Sequence, residues 1–452
     1  MHKNRILLIS LALGLIVING CDKNEASTTT KATPIPATTT STIATPTPQQ
    51  EITLTLRHSL IKETSKNALK MLTGVVKATE DDVTHLHIAL EGVDENSNRS
   101  SQLKDEMQTG ALPDIFELFG GEADAFAYAK AGKLLDLTPI LDELEKQYDF
   151  ANLQEFTVDN KIVGLPTTGQ VSGIFYNKKI FAELGVAAPP VTYAEFLEIC
   201  EKAKAKAITP LALAAGDTWV PTLLMNSLLV RSAGVEELKG FVTGAAKWTD
   251  PAVVNAFNQY LELVSKGYFT EKNSGLKYSD QQNEFKSGKA AMLFDGSWTY
   301  ADLIDPEQSK IANDVGFFSL PDMGGAGDGW INGSFDKGYG FSAKLSDNQK
   351  QAVKAFIKNM FNDEMQKKQL IDEGIFPSMF FLDNTGVPPL VTDIIAATKA
   401  SVGTFQSLDK VIQKKVLAEL EEGMQQLLEG KTTAVQLAEK LQIVQSEANA
   451  NQ

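Results

Sequence analysis

Two cysteines and four histidines are all that this 452-residue chain contains of those types, and their placement matters as much as their scarcity. Cys21 closes an amino-terminal leader, which leaves Cys200 as the remaining thiol, so no intramolecular disulfide framework can form beyond it. The histidines are His2, His58, His85 and His87, all near the start. His85 and His87 share a face of a strand expected over 83–89, but a sheet-face pair with no third ligand reads as solvated side chains, not a metal site. The chain also lacks a Gly-x-Ser-x-Gly nucleophile elbow and a Gly-x4-Gly-Lys-Ser/Thr phosphate loop. Its Gly-rich stretch at 324–329 has no Lys-Ser/Thr and does not sit between a strand and a helix. Nothing calls for a metal or cofactor, and no catalytic constellation emerges. Positive charge is in deficit: 42 Lys and Arg against 57 Asp and Glu give a net charge of −15. That balance argues against nucleic acid or an anionic lipid surface as a partner.

What is present begins with the leader. Lys3 and Arg5 precede an apolar run over 6–18 and then Asn19-Gly20-Cys21. A basic head, a short apolar stretch and a small residue before the cleavage point define a secretory signal over 1–20. The run falls short of the roughly 20 apolar residues that span a bilayer, and no later segment approaches that length. Residues 21–50 are dominated by Ser, Thr, Ala, Pro, Lys and Gln, which cannot bury enough apolar surface to offset ordering, so a flexible tether is expected. The remaining roughly 400 residues, 51–452, suit two lobes better than one core.

Along that domain, strand and helix patterns alternate, which implies α/β layering. The most heavily punctuated block runs over 159–196. Asp159-Asn160 marks a turn, Gly164-Leu165-Pro166 ends a short strand, and a Thr/Gly/Ser connection leads into a second strand ending at Tyr176. Asn177 then opens a helix, Gly185 stops it, Pro189-Pro190 follows, and Thr192 caps the next helix. Cys200 shares an apolar face of that helix with Phe196 and Ala203 and is expected in the core.

The same block resembles bacterial extracellular solute-binding proteins of the maltose- or sugar-binding type. The matching residues are Lys161, Gly164, Pro166, Tyr176-Asn177-Lys178, Phe181, Gly185, Pro189-Pro190, Thr192, Glu195 and Phe196, with Tyr193 where Trp is usual. Further phrases recur in family order: Gly110 and Pro113-Asp114-Ile115, Leu134 to Thr138, Phe285 through Trp298, and Gly374 to Ser378. Ile18-Asn19-Gly20-Cys21 resembles a bacterial lipobox, with Asn19 where a smaller or β-branched residue is commoner. The resemblance implies a lipidated Cys21, attachment to the outer face of the cell membrane, and a two-lobed periplasmic-binding-protein-like (type II) α/β fold with an interlobe hinge. It places lobe 1 at about 51–166 and 338–385, and lobe 2 at about 167–337 and 386–452. It further implies a monomer that delivers a sugar or oligosaccharide to the membrane permease of an ABC importer. A surface sensor or adhesin of the same fold is the alternative, and a secreted glycan hydrolase, which would need an acid/base pair in the cleft, is a third reading.

Sugars present flat C–H faces and a ring of hydroxyls, so a sugar site needs aromatic platforms and polar groups that two lobes close upon. Four tryptophans are available. Trp298, just after Gly296, and Trp219, in a loop after a strand expected over 210–215, stand where the family places ligand-facing aromatics. Trp330 lies among glycines ahead of a strand over 338–342. Trp248, before Asp250-Pro251, reads as structural. Polar and aromatic candidates at strand ends and links are His58, Phe119, Glu122, Gln170, Asp295 and Asp336.

Overall fold

The computed structural model describes residues 51–62, 65–144 and 149–450. These described residues form one compact unit. The signal, the tether and Cys21 lie outside the described residues.

Thirteen strands are described: β1 (Ile52–His58), β2 (Leu86–Gly92), β3 (Ile115–Phe119), β4 (Thr157–Val158), β5 (Lys161–Ile162), β6 (Gly164–Pro166), β7 (Gln170–Asn177), β8 (Thr209–Ala212), β9 (Ala290–Gly296), β10 (Val315–Phe318), β11 (Trp330–Ser334), β12 (Lys337–Phe341) and β13 (Gly403–Phe405). The first sheet runs β2-β1-β3-β12-β6, with β1 parallel to β2 and β3 and with β12 antiparallel to β3 and β6. The second runs β13-β11-β7-β9-β8. Its central β7 gives Gln170 to Ser172 to β11 and Ile174 to Asn177 to β10, while β9 pairs with it over Ser172 to Tyr176. The two sheets give the α/β, two-lobed arrangement.

The chain crosses between the sheets at two short links. Thr167-Thr168-Gly169 joins β6 to β7, and Phe335-Asp336 joins β11 to β12. They are held side by side, since the Thr167 amide donates to the Lys337 carbonyl at 3.0 Å. The Gly169 amide donates to the Phe376 carbonyl at 3.1 Å, tying in a third segment. The buried Phe335 ring lies so close to Gly169 that an added Cβ would sit 2.0 Å from it.

Local punctuation behaves as its chemistry requires. Asp159 and Asn160 both take positive φ in the two-residue turn between β4 and β5, as Asn and Asp tolerate. Asn177 accepts the Lys179 and Ile180 amides, and Thr192 with Glu195 forms a capping box; each such cap contributes about 1 kcal/mol. Cys200 is fully buried among aliphatic side chains, and burial pushes its thiol pKa up. Trp248 is fully buried too, stacked on Phe241 at 4.1 Å with its amide donating to Gln442.

Three local expectations are corrected. The strand expected at residue 83 starts at Leu86, and His85 occupies a turn at φ 63°, so His85 and His87 share no strand face. His87 is exposed and pairs with Glu80 at 3.1 Å. Trp219 is the first residue of helix Trp219–Ala233 and not part of a loop. Trp330 begins β11 itself, since its ladder with β7 and β13 outweighs the local turn tendency of the flanking glycines. Among the described residues no helix is long and apolar enough to cross a membrane, and no cluster of three metal-ligating side chains occurs.

Candidate ligand-binding site

A cavity of about 400 Å³ opens against the second sheet. Its floor is Gln170 and Ser172 of β7 beside Asn332, Gly333 and Ser334 of β11. Thr222, Leu223 and Asn226 of helix Trp219–Ala233 form one wall. Ser407, Asp409 and Lys410, with Leu417 and Glu421 of helix Lys414–Leu428, form another. Trp219 and Trp298 flank it and are 40% and 41% exposed, unusual for side chains of that apolar area.

Both tryptophans are fixed by Tyr278. β9 ends at Gly296, where a Cβ would meet the Trp298 ring at 2.0 Å, so only glycine lets the indole fold back there. The Trp298 Nε1–H donates to the Tyr278 hydroxyl at 2.9 Å. The Tyr278 ring packs on Trp219 with centroids 4.8 Å apart. Its hydroxyl also accepts from Gln282 at 2.8 Å and donates to Asp295, whose two carboxylate oxygens lie 3.0 and 2.9 Å away. Asp295 is wholly buried behind the platform. Burial pushes its pKa up to about 7, opposed by hydrogen bonds from the Gly296 amide and from Tyr278.

The wall opposite is oriented by amides. Asn226 Oδ1 accepts the Leu408 amide at 3.1 Å, while Asn332 accepts from Ser407 and donates to the Phe405 carbonyl. Thr218 donates to Glu421 at 2.7 Å, and Lys410 lies 3.7 Å from Asp336. The Ser334 hydroxyl, on a residue 8% exposed, has no hydrogen-bond partner among the described residues. An unpaired buried hydroxyl costs free energy unless something fills its place.

Of the residues nominated from sequence, Gln170, Trp219 and Trp298 meet at this cavity. Asp295 lies behind its wall. Trp330 is half-buried at the start of β11 against Gly403, packed on the core. Asp336 spans the sheets: its carbonyl accepts the Gly120 amide at 2.7 Å, and its carboxylate faces Lys410. His58 and Phe119 end β1 and β3 of the other sheet and do not line the cavity. His58 is buried, its Nδ1 accepts the Leu60 amide, and burial lowers its pKa against the pull of Glu117. Arg99 lies 4.0 Å over the Phe119 ring. Glu122 opens the turn Glu122–Phe126 nearby.

Tyr278, Asn226, Ser407, Asp409, Lys410 and Glu421 escaped the sequence reading. For Asn332 and Ser334 a signal existed, because Trp330, Asn332 and Ser334 alternate along 330–334 and so share one face.

Two sheets joined by short side-by-side links, with one aromatic-flanked and polar-floored cavity, define a two-lobed ligand-capturing protein. The bacterial extracellular solute-binding protein family matches residues 75–367, and the chain belongs to that family. It is 46% identical to a chitin oligosaccharide binding protein of known structure, covering 88% of this chain and 99% of that one with a TM-score of 0.65. It is 28% identical over 307 residues to the multiple sugar-binding protein of Streptococcus mutans, covering 66% of this chain and 70% of that protein. The diacetylchitobiose binding protein DasA of Streptomyces coelicolor is 25% identical over 272 residues, 59% of this chain and 60% of DasA. These relatives are named as binding proteins, not as enzymes.

Proposed function

We propose that this protein captures an oligosaccharide, of chitin-derived type, outside the cell and hands it to the permease of an ABC importer. The observation that carries the reading is the pair of half-exposed tryptophans held in fixed orientation beside a floor of amide and hydroxyl groups. Aromatic faces match the C–H faces of pyranose rings, and Gln170, Asn226 and Asn332 match their hydroxyl and acetamido groups. The names of the 46% identical structure and of DasA support the choice of sugar.

In this reading lobe 1 comprises about 51–166 and 338–385, lobe 2 about 167–337 and 386–452, and the links at 167–169 and 335–336 form the hinge. Lobe closure brings the ends of β1 and β3, with His58, Phe119 and Glu122, over a sugar seated on lobe 2. Asp336 stays at the hinge beside Lys410, and Asp295 and Trp330 support the site from behind. The protein acts as a monomer, held to the membrane by lipid on Cys21 and spaced from it by the 21–50 tether.

The test is a titration followed by intrinsic tryptophan fluorescence, with chitin oligosaccharides, other sugars, amino acids and phosphate esters as ligands. A saturable change with chitin oligosaccharides is expected. A response confined to a non-sugar class would overturn the assignment.

A further inference from the structure

Among the described residues, the groups that reach the Asp295 carboxylate are all hydrogen donors. The Gly296 amide donates to Oδ1 at 2.8 Å, and the Tyr278 hydroxyl lies 3.0 and 2.9 Å from the two oxygens. That hydroxyl has no spare capacity. A phenol oxygen carries one hydrogen and two lone pairs, and both lone pairs are taken, by Trp298 Nε1–H at 2.9 Å and Gln282 Nε2 at 2.8 Å. Its own hydrogen therefore points at Asp295. An ionised carboxylate, which only accepts, completes this set. A protonated one adds a hydrogen that finds an acceptor only by displacing a donor from Tyr278. Gln282 would keep Thr299, at 2.7 Å, but the exposed Trp298 indole has Tyr278 as its one acceptor among the described residues.

Asp295 is wholly buried, and burial pushes its pKa up to about 7 while the surrounding donors pull it down. No charged side chain among the described residues pairs with it, and β7 sets Gly173 opposite it. On helix Tyr278–Lys286, burial and Asp295 itself push the Tyr278 pKa up, so the phenol stays protonated. Asp280 accepts the Lys277 amide, Glu284 accepts from Thr209 and Thr270, and Lys286 closes the far end of the helix. Asp217 accepts the Tyr278 amide at 2.8 Å and pairs with Lys277 at 3.2 Å.

Resting on the oligosaccharide reading above, we propose that Asp295, as the ionised carboxylate, is the positioning residue of the tryptophan platform, so that protonating it frees Trp298 and weakens sugar capture. Acid and indole do not touch the same ligand atom; Tyr278 carries the effect from one to the other. Linkage makes the coupling reciprocal: a sugar that binds the ionised form better also favours ionisation, so capture near neutral pH releases a proton.

The experiment is calorimetric titration of the full chain with tri-N-acetylglucosamine, a ligand without charge of its own, from pH 5 to pH 8. Affinity is expected to be about tenfold higher at pH 8 than at pH 5. Near neutral pH, the binding heat should differ between buffers of different ionisation enthalpy by the amount that proton release requires. Stability contributed by Asp295 runs the other way, because the buried charge costs it as pH rises, so an affinity loss at low pH is not unfolding. Asp295→Asn places an amide N–H where the carboxylate accepted; it is expected to bind at the parent's pH 5 affinity across the range. Tyr278→Phe, which cuts the path from acid to indole, should flatten the profile as well. A parent affinity without pH dependence, or Asp295→Asn binding at the parent's pH 8 affinity, overturns the proposal and leaves the oligosaccharide reading standing. A slope that persists in Asp295→Asn overturns it too and assigns the proton to another group, such as His58. Binding of no sugar at any pH overturns the oligosaccharide reading and this proposal with it.

Discussion

The Tyr278 hydroxyl lies 2.9 Å from the nearer carboxylate oxygen of Asp295 and, on its other side, 2.9 Å from the Trp298 indole nitrogen. One phenol thus ties a buried acid to an exposed aromatic platform, and its ring supports the second platform, Trp219. Tyr278→Phe keeps the ring and deletes the hydroxyl. It leaves the Trp298 N–H without its acceptor, leaves the Gln282 amide with Thr299 in place of two acceptors, and removes the phenol donor from Asp295, which keeps the Gly296 amide. The expected results are a stability loss of about 1–3 kcal/mol in urea unfolding and an affinity loss near tenfold in ligand titration. A stability loss with unchanged affinity would mean that Trp298 holds its place without Tyr278.

Asp295 carries a pH dependence with a definite sign. Its folded-state pKa is raised to about 7, above the roughly 3.9 of an unfolded aspartate. Between those values the folded chain holds a proton that the unfolded chain has released, so stability from this group falls as pH rises through the window. The cost is absent below the lower value and fully present above pH 7. Asp295→Asn removes the titration while keeping an acceptor for Tyr278. Melting temperature measured from pH 4 to pH 8 should therefore fall less steeply in the variant than in the parent chain.

The link between β6 and β7 offers a steric test. At Gly169 an added Cβ would lie 2.0 Å from Phe335 Cε1 and 2.3 Å from Cδ1. Phe335 is buried and has little room to retreat. Gly169→Ala is expected to cost about 1–3 kcal/mol, the scale of core overpacking. Trimming the ring in Gly169→Ala/Phe335→Leu should restore part of that loss in a thermal melt. Additive losses would show that the contact is not the source of the strain.

Trp248 separates structural from functional tryptophans. It is fully buried, stacks on Phe241, and donates Nε1–H to Gln445 at 3.3 Å. Trp248→Phe should lower stability by about 1–3 kcal/mol by opening a void and stranding the Gln445 carbonyl. The folded fraction should bind ligand as the parent does.

Much of this arrangement was readable from local chemistry. Asp159-Asn160, Asn177, Gly185 and Thr192 carry side chains or φ freedom that determine their own boundaries, so the 159–196 block is legible residue by residue. The link reduces to 167–169, because Gln170 already belongs to β7 and lies in the cavity floor. β11 was hidden because Gly324, Gly329 and Gly333 suggest a loop, and only pairing with β7 and β13 makes 330–334 a strand. Tyr278 was hidden for another reason. Its partners Asp217, Asp295 and Trp298 are brought to it by tertiary packing, and no spacing in the chain announces that meeting. The same holds for Asp409 and Glu421, on a segment far along the sequence from both tryptophans.

The measurement that bears most directly on the central claim is calorimetric titration of the parent chain, Trp219→Ala and Trp298→Ala with a chitin trisaccharide. Sugar capture on the paired tryptophans predicts one site per chain for the parent. It also predicts a loss of affinity of tenfold or more in each variant, with unfolding transitions close to that of the parent. Undiminished binding in both variants would contradict the claim, because the sugar would then be held somewhere other than between those two rings.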